Sequence, residues 1–281
     1  MTRFSKIVLS AAALSLATFA PALAADYEPP VVVSPPDQFV PVEVGSGWYL
    51  RGDVGYAFSR DMDDVNFRNF DPVSGTYTNG TLDNADLSSG MTYGIGFGYT
   101  FNQWLRSDIT LDGFKSDVDG SFATTTPCGG ALAGTTCLMR GSGSIQTLSL
   151  MANGYVDLGT YAGLTPYVGA GAGISQVKWS GISEDFYCED GTAACSASLL
   201  GSTSHSGKKD YRFTYALMAG LAYDISPNLK LDVGYKYTHV AGGDMFGWDS
   251  ASAAAGATGT QGKDDGFSSQ EVRVGLRYEL W

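Results

Sequence analysis

The feature that most limits what this chain can fold into is a period of two. In "WYLRGDVGYAF", Trp48, Leu50, Val54, Tyr56 and Phe58 alternate with Arg51, Asp53 and small residues. Side chains two apart share one face of a strand, so such a run reads as β and not as helix. Eight runs of this kind lie at about 47–58, 89–101, 104–115, 144–158, 164–178, 210–225, 228–239 and 268–281. Their connections alternate in length. Short turns fall at "FNQW", "GTYAG" and "ISPN", and long polar stretches cover about 59–88, 116–143, 179–209 and 240–267. This rhythm predicts an all-β, eight-stranded antiparallel up-and-down barrel. The long connections, rich in Gly, Ser, Thr, Asp and Asn, are expected to pack little.

In each run the charges keep to one face. The faces carrying Tyr93, Ile95, Phe97, Tyr99 and Phe101, or Phe213, Tyr215, Leu217, Leu221 and Tyr223, hold none. Aromatics gather near the ends of these stripes, as in the girdles of a membrane barrel. The opposite faces hold Arg51, Arg106, Arg212, Lys230, Lys236, Arg273 and Arg277 against Asp53, Asp108, Asp112, Asp157, Asp224, Asp232, Glu271 and Glu279. Seven cations against eight anions is near balance in a chain of net charge −12. A closed interior requires such balance, because each buried charge needs a partner. Gly94, Gly96, Gly98, Gly169, Gly171 and Gly173 share the charged faces and leave room for long side chains. About ten residues at about 3.3 Å each, tilted about 40°, cover roughly the 25 Å apolar band of a membrane barrel. A charge on the outer face at mid-membrane would cost about 2–4 kcal/mol. The expectation is therefore a transmembrane barrel with apolar residues facing lipid and a lumen plugged by ion pairs. Two other readings stay open. One is a narrow diffusion pore. The other is a soluble lipocalin-like barrel, in which the two faces exchange roles.

The N-terminal "MTRFSKIVLSAAALSLATFAPALA" places Arg3 and Lys6 before an apolar run and ends in Ala22-Leu23-Ala24. That is the layout of a secretory signal peptide cleaved after residue 24. Removing its two cations moves the net charge from −12 to −14, which argues against nucleic acid as a partner. Residues 25–46 carry five prolines and read as an extended periplasmic tether, leaving 47–281 as the barrel. Export to an oxidising compartment favours disulfides. Cys128 with Cys137, and Cys188 with Cys195, are the expected local pairs, each within one small-residue loop.

Little in the sequence points to catalysis, a metal or a cofactor. His205 falls in a polar loop and His239 at a strand end, neither beside a nucleophile motif. Asp61, Asp63 and Asp64 cluster, but without the spacing of a calcium loop. The chain reads as a non-enzyme.

The opening "GWYLRGDVGYAF", the "TYGIGFGYTF" and "LTPYVGAGAG" strands and the closing "VRVGLRYELW" resemble small Gram-negative outer-membrane barrels, the OmpA-type transmembrane domains and opacity-type surface proteins. The resemblance implies residence in the outer membrane and insertion by the assembly machinery that reads the last strand. Gly275, Tyr278, Leu280 and Trp281 would form that signal, with Trp281 one position out of phase. The functional reading is structural: an envelope component that stabilises the outer membrane and presents four surface loops toward host or environmental ligands. The tether could meet peptidoglycan or another periplasmic component.

Overall fold

The computed structural model describes residues 47–82, 85–124, 137–189 and 196–280. Residues 1–46, with the signal and tether, lie outside them, as do Cys128, Cys195 and Trp281. Eight long strands form a ring: β1 (Trp48–Met62), β5 (Gly90–Asn102), β6 (Leu105–Thr124), β7 (Cys137–Asp157), β8 (Leu164–Trp179), β11 (Lys209–Ser226), β12 (Leu229–Phe246) and β13 (Gly262–Glu279). Each pairs antiparallel with the next, and β13 returns to pair with β1 from Tyr49↔Glu279 to Met62↔Phe267. Closure leaves the last strand no free edge. The chain is an eight-stranded up-and-down antiparallel barrel, as its periodicity predicts.

The faces settle the sense of the alternation. Leu50, Val54, Ile95, Ile109, Leu150, Ile174, Phe213, Leu217 and Leu276 are exposed on the outside. Asp53, Arg106, Asp108, Asp112, Asp232, Lys236, Glu271 and Arg277 are buried inside. This is the reverse of a lipocalin-like barrel, so the soluble reading is overturned. At the end with the short turns, Trp48 stacks on Phe97 at 4.7 Å and Tyr99 meets Phe101 edge-on at 5.2 Å. Phe58 with Tyr235, and Tyr215 with Tyr237, mark the other girdle.

The long connections depart from expectation. They continue the ring strands outward and add β2 (Val65–Asp71), β3 (Thr76–Leu82), β4 (Ala85–Leu87), β9 (Ile182–Glu189), β10 (Ser196–His205) and a short helix, α1 (Ser250–Ala254). β4 bridges β1 and β6, and β9 takes over the pairing with β7. The reason is apolar. Val65, Leu87, Val118, Ile145, Val177, Trp179, Val240, Met245, Phe246 and Phe267 form one buried cluster at this end. Arg68 ties the β2–β3 hairpin down, donating to the carbonyls of Thr258 and Thr260 and lying over the rings of Tyr77 and Trp248.

Candidate functional site: a closed lumen

Three aspartates organise the mid-lumen. Asp108 on β6 receives Arg51 Nη1 at 3.1 Å, Asn153 Nδ2 at 2.8 Å and the Tyr49 hydroxyl at 3.1 Å. Asp53 on β1 lies 3.2 Å from Arg51 and 2.7 Å from Arg273. Asp112 on β6 takes Lys236 at 2.9 Å and Arg273 at 2.8 Å. Arg273 also donates to Glu271. These pairs join β1, β6, β12 and β13, so the network laces opposite walls together. Buried ions of this kind persist only when paired.

Toward the short turns the filling becomes aromatic. The Arg106 guanidinium sits 4.0 Å from the Tyr155 ring centroid and 4.7 Å from that of Tyr167, and its Nε bonds Asp157 at 3.1 Å. Arg277 lies over Tyr49 and 3.5 Å from Asp232. Tyr155 receives Arg51 Nη1 at 2.8 Å. Glycines give these groups their room. A Cβ at Gly94 would stand 2.7 Å from an Asp112 oxygen, and one at Gly98 would stand 2.3 Å from the Tyr49 ring. One at Gly169 would strike Tyr155, and one at Gly220 or Gly234 would strike the Tyr167 hydroxyl.

Some of the expected network residues stand elsewhere. Asp224, Lys230 and Glu279 pair with one another at the rim, at 2.6 Å and 3.9 Å, and stay partly exposed. Arg212 is deeply buried but belongs to the outer end, where it bonds Asp264 at 2.7 Å and the Asp244 carbonyl. Gly275, expected in an assembly signal, faces inward against the Asp53 Cβ, whereas Tyr278 faces outward. Arg60 escapes sequence reasoning. A bulge between Ala57 and Ser59 shifts the phase of β1 and turns Arg60 inward, over the Phe114 ring at 4.4 Å. The apolar outer cluster also escapes it, although Ile145, Val177, Trp179, Val240 and Phe267 occupy inward-facing positions.

His205 on β10 bonds Glu184 of β9 at 3.3 Å, and His239 faces outward against the Tyr215 ring. Asp63 and Asp64 are exposed in the β1–β2 turn. Among the described residues no three His, Cys, Asp or Glu side chains converge as a metal site. The register sets Cys137 directly opposite Cys188, while Cys128 and Cys195, the other halves of the expected local pairs, lie outside the described residues.

Residues 9–279 match the family described as "Outer membrane protein beta-barrel domain". The chain belongs to that family. Its residence is accordingly the bacterial outer membrane. An uncharacterized protein of Brucella suis is 36% identical over 89% of this chain and 90% of its own length. A protein of Rickettsia bellii named as a putative adhesin is 26% identical, over 83% of this chain and 88% of its own length. Among solved structures, Neisserial surface protein A is 16% identical and covers 84% of this chain and 98% of its own, with a TM-score of 0.44. The outer membrane protein OprG of Pseudomonas aeruginosa gives 16% identity over 84% and 96%, with a TM-score of 0.45.

Proposed function

We propose that this protein is a structural outer-membrane barrel that holds a folded surface platform above a closed lumen. The observation that carries the reading is the double filling of the interior. Ion pairs cross its middle, and an apolar cluster fills its outer end. An eight-stranded barrel has an interior just wide enough for side chains to fill. Two gaps in the network, one beside Asp112 and Ser149 and one beside Asp53 and Tyr167, have room for only a few waters. A diffusion pore is therefore the weaker reading, and the protein is not an enzyme in this account. Residues 1–24 direct export, the assembly machinery receives the last strand, and residues 25–46 extend into the periplasm, toward peptidoglycan or another periplasmic component.

The platform is the part that meets other surfaces. The β2–β3 hairpin, α1 and the β9–β10 hairpin stand beyond the outer girdle, and the name of the Rickettsia bellii relative is in keeping with a surface contact role. A Cys137–Cys188 bridge belongs to this reading, since residues directly opposite in an antiparallel pair lie within disulfide reach. The test uses a deletion strain complemented with the full chain or with residues 66–81 replaced by a short turn. Both should restore resistance to bile salts, and only the full chain should restore attachment to host cells or abiotic surfaces. Equal attachment by both strains, or a deletion without effect on either property, would count against the platform role.

A further inference from the structure

On the outer wall one hydrogen-bonded row runs across four neighbouring strands. Lys115 on β6 stands opposite Gln146 on β7, Gln146 opposite Lys178 on β8, and Lys178 opposite Lys209 on β11. All four are exposed and share the outward face. Two outward rows below them, past Leu148, Gln176 and Tyr211, strands β7, β8 and β11 present Leu150, Ile174 and Phe213 to lipid. Gln176 bonds the Tyr211 hydroxyl at 2.8 Å just beneath the Lys178–Lys209 step.

The row is unusual in its lack of partners. Lys208, Lys230, Lys236 and Lys263 each meet a carboxylate. Lys115, Lys178 and Lys209 form no ion pair among the described residues, and Lys209 contacts only the Tyr211 ring, at 5.8 Å. Asp117, two positions beyond Lys115 on the same face, is exposed and likewise forms no ion pair among the described residues. Like charges directly opposite on a sheet destabilise it, and this chain is otherwise strongly acidic. Height fits a lipid partner. Strands about 4.8 Å apart and tilted about 40° make a row of three steps climb about 9 Å. The row thus rises from the edge of the apolar band into the headgroup layer.

We propose that Lys115, Gln146, Lys178 and Lys209 bind the phosphate groups of a phosphorylated glycolipid in the outer leaflet, whose acyl chains lie along the Leu150, Ile174 and Phe213 stripe. The anion relieves the Lys178–Lys209 repulsion, and the shared apolar wall favours a lipid over a soluble anion. The seam anchors the barrel laterally and holds its platform at fixed height.

The test titrates the full chain, folded in neutral detergent, with diphosphoryl lipid A and with dephosphorylated lipid A, reading bound lipid by native mass spectrometry. The wild-type protein should prefer the phosphorylated lipid by about tenfold or more. K115Q/K178Q/K209Q should lose that preference, and K178R/K209R should keep it. K263Q, which changes an exposed lysine elsewhere, should behave as wild type. Heat-modifiable migration checks folding, and K178Q/K209Q serves if the triple variant does not fold. An unchanged preference in the glutamine variants, or none in the wild type, would overturn the proposal. Displacement of the lipid by excess inorganic phosphate would overturn its assignment to a lipid.

Discussion

Lys236 on β12 and Asp112 on β6 meet at 2.9 Å although three strands stand between them in either direction around the ring. Their contact spans the diameter of the barrel. Removing one partner leaves the other buried without its counter-charge, and breaking a buried pair costs about 3–5 kcal/mol. D112N leaves both Lys236 and Arg273 short of a counter-charge, so it should approach that cost. K236M should cost less, because Arg273 still neutralises Asp112. A double-mutant cycle in urea, followed by the shift between folded and unfolded bands, should give clear coupling between the two sites. Additive effects would mean that the bridge carries no stability.

Gly94, Gly96 and Gly98 of β5 should be intolerant for a reason unrelated to backbone freedom. Gly94 lies against Asp112 and Asp53, whereas a Cβ at Gly154 would meet nothing within 4 Å. G94A should destabilise the barrel by about 1–3 kcal/mol, the usual cost of overpacking. G154A should be close to neutral in the same urea titration.

The outer apolar cluster should behave as a true core. Trp179 and Phe267 are almost fully buried, and truncating such residues costs about 3–5 kcal/mol. W179A and F267A should therefore lower the unfolding midpoint and speed proteolysis of the surface platform. A platform that packs little would ignore both changes.

The β9–β10 hairpin should respond to pH. Burial pushes the His205 pKa down, but its hydrogen bond to Glu184 and the charges of Glu184 and Asp249 raise it above the ordinary value. A raised pKa means that protonation stabilises the fold. The contribution is complete below the unfolded pKa of about 6.5 and is lost as pH rises through the folded value. Lys208, with its own partner Asp244, is the nearest cation in sequence. Amide exchange, corrected for its intrinsic pH dependence, should show better protection of residues 182–205 at acid pH than at alkaline pH. H205Q should remove the difference.

The barrel and its sense were legible because lipid on one side and a narrow lumen on the other leave no neutral face. Arg51, Asp53, Asp108, Asp112, Lys236 and Arg273 could be picked out by parity alone. Their partners could not, since Lys236 finds Asp112 only through ring closure. Arg60 was hidden because the bulge after Ala57 breaks the parity on which the reading depends. The apolar outer plug was written in the inward positions of Ile145, Val177, Trp179, Val240 and Phe267. A reading that ends each strand at the aromatic girdle passes over it.

A lumen filled in this way should pass no ions, which planar-bilayer recording of the purified, folded monomer can read. The bilayer should stay silent across a wide range of voltages, for the wild type and for K236M alike, because the apolar plug remains after the ionic bridge is cut. Steady, reproducible ion current through the wild-type barrel would contradict it.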